Sequence, residues 1–215
     1  MFRDKEEETP MNAQQNSNTT QGELQIGQPY GGGFFIGITQ ENGKLYRNIQ
    51  ASKVFQLKGV LRCYGQDVEG AHSYTDSRAN TEAYAAAGSK LAQQALKLEI
   101  DHRTDWAIPA RDVVELQYRN LKPTTHLNWC SWRDGDNPSS VPVGYPYTRQ
   151  YPPCSNLVAF SEGGPEAFDT ERWYASSTQY SAHNACIMDF CGGYQHYGTK
   201  YGERYVRPVR RELIE

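Results

Sequence analysis

The chain has 215 residues, enough for one sizeable core or one domain plus a tail; 38% are hydrophobic, 22% charged, and the net charge is −3. That balance excludes a basic nucleic-acid binder, and no run approaches the roughly 18 apolar residues of a membrane-spanning helix. Five cysteines, at 63, 130, 154, 186 and 191 with no CxxC, exclude a zinc ribbon and a dense disulfide framework, and read as mostly reduced thiols of a protein made in a cytoplasm.

Residues 1–29 are acidic and then rich in Asn, Gln, Ser and Thr, without the apolar core of a signal peptide. Such a composition buries too little area to offset chain entropy, so residues 1–33 read as a tail or as an arm that orders against a partner. From residue 34 the chain reads as one domain, 34–215. Phe34, Phe35, Ile36 and Ile38 predict a strand, "ENG" at 41–43 a turn, and "KLYRNIQA" a second strand, so 34–50 is expected as a hairpin.

Residues 53–74 are mixed, with turn signals. "DSRANTEAYAAAGSKLAQQALKL" predicts a helix capped near Asp76 or Ser77, with Tyr84, Ala87, Leu91, Ala95 and Leu98 on one apolar stripe that Gly88 weakens. "TDWAIPARDVVELQYRNLKP" predicts a second helix. Pro109 suits its start, Asp112 suits its dipole, Val114, Tyr118 and Leu121 form its inner face, and Pro123 stops it. Residues 124–168 are irregular and carry six prolines from 138 to 165, a length usual only for functional or covering loops. Short strands are expected around 184–190, 193–197 and 204–211. The order is hairpin, two helices, long loops, then strands, an α+β plan.

Several pieces occur in a fixed order: "DSRANTEAYAAAG", "DWAIPARDVVELQYRNLKPTT", "NPSSVPVGYPYT", "GGPEAFD", "ASSTQYS" and "YVRPVRR". Together they resemble the DUF1566 (Lcl C-terminal domain) family in the form found in virion proteins of tailed bacteriophages, over roughly residues 30–212. The resemblance implies a C-type-lectin-like fold: two helices flanking a small twisted antiparallel sheet, with N- and C-terminal strands side by side. Two departures stand out. Ala175 occupies the usual Trp position before "SST", with Trp173 two residues earlier. Ala110 and Val113 cannot make the capping box found in relatives, which costs about 1 kcal/mol of helix stability.

Some members of that family are diversified in the segment matching 174–201, where the virion meets its target. In this chain the segment is rich in Tyr, Ser, Gly, His and Asn, a composition that gives rigid contact area and adaptable hydrogen bonds. Tyr180, His183, Asn184, Asp189, Tyr194, His196, Tyr197 and Tyr201 are therefore the expected ligand-binding residues. The alternative is that these are ordinary half-buried sheet residues. In the strand at 184–190, Cys186, Met188 and Phe190 are expected inward, and Ile187 and Asp189 outward.

Other chemistry has little support. Asp134, Asp136 and Asn137 lie close enough to hold a hard cation, yet the segment lacks the further spacing and acid of an EF-hand loop and reads as a polar turn. Cys186 and Cys191 are spaced to point to opposite faces of a strand. The histidines show no HExxH spacing, and no GxSxG occurs. No catalysis and no cofactor are expected. The arginines of "RYVRPVRR" are expected to pair with acids or cover a sheet edge. The resemblance further implies a virion protein binding a host-surface ligand, protein or glycan. It would reach other virion proteins through residues 1–33 and form a homo-oligomer, with a trimer favoured. The alternative is a structural or decoration protein that touches only other virion components.

Overall fold

The computed structural model describes residues 24–215. The first hairpin forms where alternation and turn chemistry place it: β2 (Gly33–Glu41) and β3 (Lys44–Gln50) follow a two-residue strand β1 (Pro29–Tyr30). Asn42 and Gly43 both take left-handed backbone angles, φ 50° and 74°, the pair that matches strand twist in a two-residue turn. Residues 1–23 of the expected arm lie outside the described residues. Residues 24–33 already touch the domain: Gly27 N donates to Phe35 O at 2.8 Å, and Ile26 packs on the main core.

After a short 3-10 turn comes β4 (Leu57–Gly59), then the helical region. The expected single helix over 76–98 is two. α1 (Ser77–Ala86) is capped by Asp76, whose side chain accepts from Ala79 N at 2.9 Å. Gly88 then adopts φ +94°, which a helix cannot carry, and Ser89 caps α2 (Lys90–Leu96). Tyr84, Leu91 and Ala95 of the expected stripe are buried, together with Val206 and Ala185. α3 (Arg111–Leu121) buries Val114, Tyr118 and Leu121 as expected.

Residues 124–168 hold one short strand, β5 (Ser140–Val141), which pairs with β2. The loop is anchored by buried polar groups. The Lys122 amine donates to Asn128 Oδ1 at 2.8 Å, the Tyr118 hydroxyl donates to the same oxygen at 2.7 Å, and Asn128 Nδ2 donates to Pro152 O at 2.9 Å. Tyr147, Phe160 and Phe168 add apolar anchors to the core around α3.

The C-terminal third supplies β6 (Trp173–Gln179), β7 (Asn184–Asp189), β8 (Gln195–Thr199), β9 (Arg204–Val206) and β10 (Val209–Ile214). Among the described residues there are two sheets where the resemblance led to one. The first runs β1-β2-β3-β10, with β5 on β2; the second runs β4-β9-β6-β7-β8. Pairing is antiparallel except for one parallel contact, Tyr174 with Tyr205. The last strand returns to the N-terminal hairpin, with Val209 opposite Gln50 and Ile214 opposite Leu45. The fold is α+β, with three α-helices among the described residues.

Three of the terminal arginines pair with acids, and Arg204 pairs with none among the described residues. Arg210 meets Asp105 at 2.7 Å, Arg211 meets Glu41 at 2.7 Å, and the fully buried Arg207 lies over Phe168 at 4.7 Å and meets Glu166 at 3.5 Å. No helix among the described residues is long and apolar enough to cross a membrane.

Candidate functional site

β6 was not expected as a strand, and it divides the 174–201 segment. From Tyr174 to Gln179 every residue is buried, so this part of the segment is interior. Its middle bonds to the helix entries instead of to β7. Ser177 N donates to Pro109 O at 2.8 Å, Gln179 N donates to Ala71 O at 2.7 Å, and Thr178 Oγ1 donates to Ser73 O at 2.8 Å. What remains exposed is the β7–β8 hairpin with its flanking turns. Phe190 faces inward and Asp189 outward, as expected, with Cys186 and Met188 also buried.

β8 is the free edge of the second sheet. Cross-strand partners share a face, so Tyr197 lies on the Cys186 side and His196 on the Ile187 side. The two side chains therefore start on opposite faces, and the aromatic residues wrap round the edge. Tyr180 and Tyr197 stack at 4.1 Å with rings 4° apart; Tyr197 meets His196 at 4.8 Å, and His196 meets Tyr194 at 5.3 Å. Tyr194 then contacts Trp129 at 5.6 Å and Trp173 at 6.2 Å. Four of the eight expected residues thus form one continuous aromatic strip.

Two more, His183 and Tyr201, belong to a separate cluster around Tyr64, at 4.7 and 5.3 Å. The remaining two serve the hairpin itself. Asp189 accepts from the backbone N–H groups of Gly192 at 3.3 Å and Tyr194 at 3.2 Å, so its carboxylate is committed to the β7–β8 turn. Asn184 closes the preceding turn, its carbonyl accepting from Tyr180 N and Ser181 N at 3.0 Å each.

The stacked tyrosines open on a cleft of about 770 Å³ that the sequence did not single out. Across it stands Trp132, 82% exposed, while Tyr180 and Tyr197 are 51% and 39% exposed. Arg111 forms part of the wall, lying over the Tyr74 ring at 4.0 Å and paired with Asp112 at 2.7 Å. Burial pushes the Asp112 carboxyl up, against the pull of Arg111. Arg133 and Asp136 complete the mouth, joined by a turn in which Asp136 N donates to Arg133 O at 3.1 Å. The loop that carries them is fixed from below: Asp134 accepts from Ser131 Oγ at 2.7 Å and from Gln195 N on β8 at 2.8 Å. Asn137 Nδ2 donates to Asp112 O at 2.8 Å. Asp134 and Asn137 thus spend their polar atoms inside the protein.

A second concavity of about 490 Å³ lies on the first sheet and differs in character. Ile38, Leu45, Leu116, Val141 and Ile214 give it an aliphatic lining, and Leu24, the first described residue, sits at it.

The closest approach to a nucleophile and base is Cys191 Sγ, 3.1 Å from His126 Nδ1. Burial pushes the Cys191 thiol up, the opposite of an activated thiolate, and burial does the same to Cys186. Compared with known proteins, no family model, no curated protein and no solved structure matches the chain.

Proposed function

We propose that this chain is a surface-displayed adhesion module of a tailed-phage virion, with a C-type-lectin-like fold of the DUF1566 type. In this reading it binds a host-surface ligand at the β8 edge and the adjoining cleft. The family and the virion setting rest on the ordered sequence pieces quoted above. The adhesion reading rests on one observation: the Tyr180–Tyr197–His196–Tyr194 strip continues into Trp129 and lies beside a cleft bordered by Trp132, all largely rigid rings at the open edge of a sheet. Large aromatic side chains at low entropy cost are the usual anchors of binding surfaces, and a few of them carry most of the affinity. No catalytic step is part of the proposal. Weak single sites gain strength when several copies act together, which suits a homo-oligomer, with a trimer favoured.

The aliphatic concavity supports a second element of the proposal. Leu24 and Ile26, described residues of the 1–33 segment, line it, and it suits attachment to other virion proteins or to neighbouring copies. The rival reading, a structural or decoration protein, buries the aromatic edge in the particle.

The test is attachment of the purified chain to host cells. The double variant Tyr180→Ala/Tyr197→Ala is expected to reduce attachment at least about tenfold. Its melting temperature should stay within a few degrees of the parent, since both side chains are exposed. Undiminished attachment would end the adhesion reading at this edge, and a particle map showing the edge covered by another virion protein would favour the structural one.

A further inference from the structure

We infer that the cleft between Trp132 and the Tyr180–Tyr197 stack binds a neutral saccharide directly, without a bridging metal ion. The inference rests on the adhesion reading and narrows its ligand.

The first support is what lines the cleft. Its walls are flat aromatic rings (Trp132, Tyr74, Tyr180, Tyr197) and hydrogen-bonding groups, joined by Pro138 and Cys186, with no Leu, Ile, Val, Met or Phe among them. A peptide ligand gains affinity by placing apolar anchors in apolar pockets. Here such anchors would find Pro138 as their one aliphatic partner. A sugar ring has the opposite needs. Its face of C–H groups packs flat against an aromatic ring, and the hydroxyls round its rim both donate and accept hydrogen bonds.

The second support is the pair at the mouth. Arg133 and Asp136 are both partly buried, and among the described residues neither side chain forms an ion pair. The guanidinium lies 5.7 Å from the Trp132 ring and touches the Cys186 thiol. Arg133 offers only donors and Asp136, ionised, only acceptors. Hydroxyls satisfy both at once. A polyanion would meet Asp136 and a polycation Arg133, so one charge of each sign selects a neutral polyhydroxyl ligand.

The third support is rigidity. Arg111 is held by Asp112 and Tyr74, and Gln179 by Asp67 and His72, so the rest of the polar wall is preorganised and little is lost on binding. A metal bridge is not needed, and it is disfavoured by the inward commitments of Asp134 and Asn137, which leave Asp136 as a lone carboxylate.

Calorimetric titration of the full chain tests this, with a set of neutral hexose and N-acetylhexosamine oligosaccharides and with polygalacturonate as the acidic control. At least one neutral oligosaccharide is expected to bind, more tightly than the acidic control and equally well with EDTA. Trp132→Ala, Arg133→Gln and Asp136→Asn should each weaken binding about tenfold or more with unchanged melting temperature. The inference is overturned if no neutral oligosaccharide binds, if binding survives Trp132→Ala, or if EDTA abolishes it. Attachment to host cells, measured in parallel, separates the two readings. Attachment that depends on Tyr180 and Tyr197 but is erased by protease treatment of the cells and not by glycosidases keeps adhesion and removes the saccharide. Saccharide binding without any cell attachment does the reverse.

Discussion

Glu41 closes β2 and ties the two ends of the chain to α1. Its carboxylate accepts from Thr75 Oγ1 at 2.6 Å and from Arg211 Nη1 at 2.7 Å, and Arg211 also reaches the capping residue Asp76. Burial works to raise its pKa, but these hydrogen bonds and the arginine charge outweigh it and hold the carboxyl below its ordinary value of 4.5. A carboxyl that is more acidic in the folded state stabilises the fold above its unfolded pKa. That contribution is lost as pH falls through the folded value. Glu41→Gln should therefore lower stability at pH 7, and the gap to the parent should close below about pH 4.5, read from urea midpoints at several pH values. A gap that stays constant down to pH 3 would assign the loss to packing alone.

Thr178 shows how one element completes another. The residue before α3 is Ala110, whose methyl group cannot cap it, and the sequence accordingly led us to expect a weak start. The cap comes instead from β6: Thr178 Oγ1 accepts from Arg111 N at 2.8 Å, and the Tyr74 carbonyl accepts from Asp112 N at 2.9 Å. Thr178→Val keeps the shape and removes the oxygen, so it should cost about 1–2 kcal/mol in denaturant titration. A loss below a few tenths would show that water replaces the hydroxyl. The same strand marks where reading the sequence stopped. The first hairpin was legible because Asn42–Gly43 joins two alternating runs, and α3 because Val114, Tyr118 and Leu121 recur at helical spacing between two prolines. β6 reads "WYASSTQ", polar and without alternation, because its hydroxyls are spent on distant loops that one chain segment cannot reveal. The site divided in the same way. Tyr180, Tyr194, His196 and Tyr197 were legible by composition. Trp132, Tyr74 and Arg133 lie on loops far off in sequence, and only the tertiary fold brings them to the cleft.

At the scale of the molecule, the two sheets are coupled through the run from β9 to β10, since Val206 belongs to one and Val209 to the other. β10 also holds Ala107 through paired backbone bonds of 2.8 and 2.9 Å. Deleting residues 209–215 removes a whole side of β3 and the partners of Glu41 and Asp105. The expected result is loss of the cooperative melting transition and of dispersed amide signals in solution. A truncated chain that still melts cooperatively would show that the second sheet and its helices stand alone. The pairing of Leu45 with Ile214 also has a meaning for biosynthesis. The hairpin leaves the ribosome well before β10, so that side of β3 stays unpaired until the distant strand has also emerged. Chains that stop short of β10 are left with an open strand edge for proteases and chaperones to find.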